Sequence, residues 1–498
     1  MRRRLVPTSL LAPALAVVAA CVSGEPIPLP GMWTSGADAG VDAGAVDGGA
    51  DADGGPAVDS SPTQDTGLTA DVASEAGPTI DQAGVARDPA SSIDAGVVAA
   101  AAAANNAFAF DLYAHVRAKQ TTPGNLLTSP ISASLALTMA YAGAQGQTAT
   151  EMATALHYGT AASSIFDGQN GLSQALASRA ASAFAAAQQQ PYVWPSAMPS
   201  NFKLQVVNSV WGEQTYPWAQ PFLATLAKSY GTGVYLEDFI HQWDPARLAI
   251  NAWVSQETDN GINDILPPGA LDNATRMVLV NAVDLGLPWA QPFSTSNTFP
   301  YTFTRTDEST VSASFMSYGG ASYVDDGNAQ IVALPLVGGQ IFVVFALPDD
   351  GDLSTYEAGL TAATPNALAP PAPTMGALLT LPKVGFTSPT FSLATSLQAM
   401  AMVQAFNSSL ANFTGMCAAP DGENLHVSDV LQKATLTMVE QGVTASAATT
   451  VVVTAGTLPP NVTYVTLDRP FVVAIVDGPT GAILFLGHIE DPTDPGNP

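Results

Sequence analysis

Few side chains in this sequence are spaced to make or break bonds. Its five histidines, His115, His157, His241, His426 and His488, stand far apart, and its two cysteines are Cys21 and Cys417. No His-Glu-x-x-His or Cys-x-x-Cys spacing links them, so no metal site is expected. There is also no Gly-x-Ser-x-Gly elbow, phosphate loop or dinucleotide fingerprint, so the chain reads as neither an enzyme nor a cofactor binder. The informative chemistry belongs to the backbone. From Gln441 onward no charged side chain occurs until Asp468. Small residues come first (Val443-Thr444-Ala445-Ser446-Ala447-Ala448), then β-branched ones (Thr449-Thr450-Val451-Val452-Val453-Thr454). Pro459-Pro460 then ends any ladder, because proline has no N–H to donate. Left exposed, such a stretch is an aggregation hazard; a loop able to become a strand is also a mechanism.

The rest of the chain must hold that loop. At 498 residues it has room for about three domains by length alone, yet large mixed folds fill this span as one unit. Charged residues make up only 11% and hydrophobic ones 47%, which is ample for a large core. Much of the net charge of -27 falls early, where acids from Asp38 to Asp94 face the single base Arg87. Such a polyacid repels phosphates, so no nucleic-acid partner is expected. Residues 22–100 repeat Asp-Ala-Gly-like units with almost no aromatics, the composition of a disordered tether.

Residues 1–21 read as an export signal: Arg2-Arg3-Arg4, a short apolar run, then Val18-Ala19-Ala20-Cys21. The last four residues resemble the bacterial lipobox, which implies that Cys21 is lipidated and anchors the exported protein to a membrane, at the cell surface or in the periplasm. An ordinary secretory peptide is the alternative. With Cys21 lipidated no intramolecular disulfide can form, and Cys417 is expected to be a small core residue.

Helical spacing covers Phe108, Leu112, Tyr113 and Val116, and again Leu135, Leu137, Met139 and Ala140 after Ser129-Pro130. Strand-like runs lie at 206–211, 277–283, 331–336, 341–347, 377–381, 471–476 and 483–487. Helices and strands mix without a regular βαβ rhythm, which predicts an α+β fold with largely antiparallel sheets.

These landmarks stand in an order that resembles the serpins, over nearly all of residues 103–494. Asn125-Leu126-Leu127-Thr128-Ser129-Pro130-Ile131-Ser132 resembles the family's entry to the helix behind the central sheet. Val280-Asn281-Ala282-Val283, leading to Trp289 and Phe293, matches a later segment, as do Leu381-Pro382-Lys383 and Val427-Ser428-Asp429-Val430-Leu431-Gln432-Lys433-Ala434. Glu440-Gln441-Gly442, Arg469-Pro470-Phe471 and Leu484-Phe485-Leu486-Gly487 follow in register. The resemblance implies a serpin domain at 101–494, with helices packed on three mainly antiparallel sheets and an exposed reactive loop.

It also implies a function: irreversible suicide inhibition of a serine protease, which cleaves the loop, stays attached as a covalent acyl complex and is carried along as the loop inserts into the central sheet. The expected hinge comprises Glu440, Gly442, Val443, Ala445, Ser446, Ala447 and Ala448. Family spacing puts the reactive bond at Gly456–Thr457, with Ala455–Gly456 and Val453–Thr454 as alternatives. Small residues there suit an elastase-like or subtilisin-like protease. Alternation along an inserted strand would turn Val443, Ala445, Ala447, Thr449, Val451 and Val453 to one face, all small or apolar. A monomer without cofactor or metal is implied.

Two positions depart from the family pattern. Val443 stands where inhibitory members usually carry Thr or Ser, and Gln432 where a histidine is common in the shutter, the hydrogen-bonded cluster beneath the opening sheet. Glutamine can still donate and accept, so pairing with Asn281, Ser129 and Ser132 is expected. From spacing alone Ser129 and Ser132 equally suit a helix-start cap. Trp289 reads as a core aromatic, and the resemblance moves it to the breach, where the loop first enters the sheet. The alternative function is a non-inhibitory serpin used as a surface binding or structural module, and a third reading is an unrelated hydrolase.

Overall fold

In a computed structural model, the structure describes residues 78–159, 162–189, 202–364, 366–372, 376–417, 424–443 and 463–496. The expected signal peptide with Cys21, and the tether as far as residue 77, lie outside them. In chain order the first elements are β1 (Ile80–Asp81), α1 (Ala95–Arg117), β2 (Leu126–Thr128), α2 (Pro130–Tyr141), α3 (Gly146–Ala155), α4 (Ala162–Ala177) and α5 (Arg179–Gln188). Next come β3 (Lys203–Glu213), α6 (Gln220–Tyr230), β4 (Val234–Glu237), α7 (Phe239–Glu257), β5 (Met277–Pro288), β6 (Phe299–Thr304), β7 (Thr310–Asp325), β8 (Ala329–Pro335), β9 (Ile341–Pro348) and α8 (Leu353–Ala358). The last are β10 (Gly376–Pro382), β11 (Val384–Thr387), β12 (Phe391–Ser392), α9 (Ala394–Ala399), β13 (Val430–Lys433), β14 (Thr435–Val439), β15 (Gly442–Val443), β16 (Thr463–Thr466), β17 (Phe471–Asp477) and β18 (Ile483–Ile489).

The strands form two mixed sheets among the described residues, not three. One runs β1-β4-β3-β5-β15-β14-β11 with β12 and β13 attached; the other runs β16-β10-β7-β8-β9-β17-β18-β2 with β6 attached to β7. The merger comes from β7, whose 16 residues pair with β6 over Thr310–Phe315, with β10 over Phe315–Ser322 and with β8 over Ser322–Asp325, so one strand serves what would be two sheets. Most pairs are antiparallel; β3–β4, β5–β13 and β10–β16 are parallel.

Helix α2 starts with Pro130, whose fixed φ and missing N–H suit a first turn. Every residue of α2 except Tyr141 is buried, because the helix lies behind β3 and β5 and against β18. All twelve residues of β5 are buried as well. Helix α7 covers the opposite face, where Ile250 and Val254 pack with Val207 and Trp211 of β3 and Val278 and Val280 of β5. The sheet that must hold the functional segment is therefore enclosed on both faces. Cys417 is buried and outside any disulfide, packed among apolar side chains such as Phe413 and Met416.

Residues 78–100, read from composition as the end of the tether, are folded. β1 pairs with β4 (Ile80 with Tyr235, Asp81 with Val234), and Asp94 caps α1 by accepting from Gly96 N and Val97 N. Arg87 donates from Nε to Asn170 Oδ1 at 2.9 Å and from Nη2 to Ser173 Oγ at 2.6 Å, tying this segment to α4. Two glycines admit it. A Cβ on Gly233 would sit 2.1 Å from Asp81 O, and Gly231 (φ 71°) closes α6 in the left-handed region with Arg87 Cδ only 3.0 Å from where its Cβ would be. Gly233→Ala should therefore expel β1 and expose Arg87 to trypsin while the body stays folded. N-terminal sequencing of a brief digest checks this; equally slow cleavage at Arg87 in variant and wild type would show that the segment is not held this way.

Candidate functional site

The residues singled out along the sequence converge on the β5 edge that faces β13, β14 and β15. Below, β5 pairs in parallel with β13 over Leu279–Ala282. Above, it pairs with β15, Leu287 with Val443 and Pro288 with Gly442. Between them, Val283 to Gly286 pair with β3 on one side and with no described strand on the other. The facing wall is similar, since Thr435 to Thr437 of β14 pair with β11 and with no other described strand. The sheet thus contains a window, walled by β5 and β14, closed below by β13 and above by β15. Its core side is lined by Val283, Leu285, Ala434 and Leu436, all buried.

At the upper end, the expected hinge residues Glu440, Gly442 and Val443 are seated in the sheet. Val443 is buried in register between Leu287 and Met438. Gly442 is there for closeness as much as for freedom: a Cβ would come 2.5 Å from Leu287 O and 2.6 Å from the Pro288 Cα. Trp289, fully buried, donates from its indole N–H to Val439 O at 2.8 Å and from its backbone N–H to Gln441 O at 3.0 Å. It is a core aromatic that also holds the end of β14. Glu440 O accepts from Phe293 N at 2.8 Å. The Glu440 carboxylate pairs with Lys383 Nζ at 2.9 Å and accepts from Thr298 Oγ1 at 2.8 Å. Burial pushes this carboxyl up, but the bonds from Lys383 and Thr298 outweigh it, so the group titrates below the ordinary glutamate range.

At the lower end, Gln432 forms a two-way clasp with the start of α2. Its Oε1 accepts from Ser129 N at 3.0 Å and its Nε2 donates to Ser129 O at 2.8 Å, with a longer bond to Asn281 Oδ1 at 3.3 Å. Asn281 Nδ2 in turn donates to Leu431 O at 2.9 Å across the β5–β13 pair. Ser129 occupies the cap position of α2, yet its hydroxyl does not cap; it donates to Leu484 O at 2.9 Å. Ser132 does not join Gln432 and donates instead to Asn208 Oδ1 of β3 at 3.1 Å. All of these side chains are buried except that Asn208 is part-exposed. Asn208, Thr298 and the role of Lys383 escaped the sequence reading. A Lys in so base-poor a chain was a usable signal, and Asn208 had none. Ala445, Ser446, Ala447, Ala448, Gly456 and Thr457 lie outside the described residues.

Comparison with known proteins gives this geometry a lineage. A family model described as serpin (serine protease inhibitor) matches residues 103–492. The leukocyte elastase inhibitor of Homo sapiens is 30% identical over 407 residues, covering 78% of this chain and 98% of that protein. Iris, from Ixodes ricinus, is 31% identical over 395 residues, covering 77% and 97%. Among solved structures, the thermophilic serpin tengpin in its native state matches with a TM-score of 0.68 at 24% identity, covering 84% of this chain and all of that one. Thyroxine-binding globulin complexed with thyroxine matches with a TM-score of 0.63 at 26% identity, covering 79% and 99%.

The Glu440 cluster makes the seating of β15 acid-sensitive. A carboxyl held below its ordinary value of 4.5 stabilises the folded arrangement fully above that pH and loses the contribution as pH falls through the lowered value. Trp289 fluorescence, isolated by subtracting a Trp289→Phe variant, should change in one acid transition below pH 4.5 that disappears in Glu440→Gln. An unchanged transition in Glu440→Gln would rule out Glu440 as its origin.

Proposed function

The chain belongs to the serpin family, whose general business is serine protease inhibition, and from that premise we propose that it inhibits irreversibly, as a suicide substrate whose cleaved loop fills the window between β5 and β14. The observation that carries this reading is the register of β15. Extending it downward by one residue at a time sets Ala445 opposite Leu285 and Leu436, and Ala447 opposite Val283 and Ala434. The side chains turned inward are then Val443, Ala445, Ala447, Thr449, Val451 and Val453, small or apolar throughout. No charge has to be buried, which would cost several kcal/mol.

The window holds only the first three of these residues. Beyond Ala447 the strand meets the β5–β13 pair, where Lys433 lies beside Ala282. Insertion must part that pair and break the bonds of Asn281 to Leu431 and of Gln432 to Asn281, so the shutter sets a barrier rather than a binding site. The gain is a strand hydrogen-bonded on both edges. At roughly 1 kcal/mol net per bond, about ten residues supply on the order of 10 kcal/mol, enough to drive the change.

Chemically, the protease serine attacks the carbonyl carbon of Gly456, the bond to the Thr457 nitrogen breaks, and Thr457 leaves as a new amino terminus while Gly456 stays esterified to the enzyme. Insertion must outrun hydrolysis of that ester. A glycine at the cleaved bond and small residues before it favour a protease with a small primary pocket, elastase-like or subtilisin-like, and relatives named leukocyte elastase inhibitor agree with that choice. We further propose that the protein acts as a monomer outside the cytoplasm, tethered through lipidated Cys21.

Mixing the purified protein with pancreatic elastase or subtilisin should yield an SDS-stable complex of the two chains, with a released peptide beginning at Thr457. Clean cleavage without any such complex, across both proteases, would instead identify a non-inhibitory member.

A further inference from the structure

A second feature of the same sheet lies on the far edge of β3 and is independent of the inhibitory reading. β4 pairs with β3 only over Val210–Glu213, so the stretch before it has β5 as its one described strand partner. A cleft of about 410 Å³ opens there, within the size range of small-molecule sites. Its inner wall is apolar, made by Leu135 and Met139 of α2 with Leu204 and Val206 of β3.

Two polar groups in the lining are incompletely matched. Arg87 is a half-buried guanidinium whose side-chain bonds go to neutral oxygens of Asn170, Ser173 and Ser229, with no carboxylate at ion-pair distance among the described residues. That is odd in a chain of net charge -27, where Arg117, Arg179, Arg247, Arg305 and Lys203 all find acidic partners. Glu257 also lines the cleft but is exposed and does not pair with Arg87. In addition, Gln205 Oε1 is buried without a hydrogen-bond partner, whereas the buried Tyr230 hydroxyl turns toward Thr138. Buried polar atoms left unsatisfied cost about 1–3 kcal/mol each, which a ligand supplying the missing partners would recover.

We propose that this cleft binds a small amphipathic carboxylate, its anionic head on Arg87, its apolar body on Leu135, Met139 and Leu204. One cation beside an apolar wall suits a singly charged head better than a phosphate. A donor group on the ligand would satisfy Gln205 Oε1.

Isothermal titration of the purified chain with sodium decanoate tests this, with decyl maltoside and decyltrimethylammonium as neutral and cationic controls of equal chain length. Decanoate should bind one to one and at least tenfold more tightly than either control, and Arg87→Gln should weaken it at least tenfold. Because Arg87 also ties down the N-terminal segment, a second variant is needed. Ala177→Phe, at an exposed position in the lining, leaves the Arg87 bonds in place and should abolish binding. Equal affinity for decanoate and decyl maltoside, or undiminished binding in Ala177→Phe, would overturn the proposal.

Discussion

A β-sheet strand exposes backbone donors and acceptors on both edges, and the sheet is complete only when both are paired. The structure depends on one place where they are not. Along Val283 to Gly286 and along Thr435 to Thr437, two strands of one sheet face each other without a described strand between them. Everything around the gap serves to keep it from simply closing or from opening further. β13 holds β5 below it, β15 holds both walls above it, and α2 and α7 cover the two faces. On the proposed mechanism, a sheet built this way has a lower-energy form available, with another strand in place, and the fold would store that difference.

The bonds that fasten the lower end of the window are polar. The clasp of Gln432 on Ser129 fastens β13 to the start of α2, and Asn281 stitches β5 to the backbone of β13. Such bonds are worth only about 1 kcal/mol each net, so they would delay rather than forbid the proposed insertion, which forms many more of them. At the other end, Val443 already occupies a core position where the family pattern has a hydroxyl residue. The valine has no polar atom to desolvate there, so burial of this position is not a cost to insertion; its effect falls on how firmly the hinge rests in the sheet beforehand.

Much of this was legible from residue order. Trp289, Glu440, Gly442, Asn281 and Gln432 were marked by their collinear motifs, and the strand runs at 277–283, 341–347 and 471–476 by their continuous apolar character. Other parts were not. The Ser132–Asn208 bond joins residues 76 apart on elements with no shared motif, and the Lys383–Glu440–Thr298 cluster is assembled from three separate strands or loops. Residues 78–100 misled because a two-residue strand has no periodicity to read, and their docking rests on Gly231, Gly233 and one arginine rather than on a hydrophobic stripe. The expectation of three sheets follows the family pattern; in β7 the irregularity at Gly319-Gly320 bends the strand where pairing passes from β10 to β8 without ending it, so two of the expected sheets are continuous.

The central claim is that the window accepts the segment after Val443 as a strand. It is tested most directly by nicking the purified protein in the loop with a protease it does not trap, then comparing thermal unfolding before and after. Insertion predicts a large rise in the unfolding temperature, by tens of degrees, because the nicked form gains a doubly hydrogen-bonded strand. A nicked protein that unfolds at the same temperature as the intact one would contradict the account.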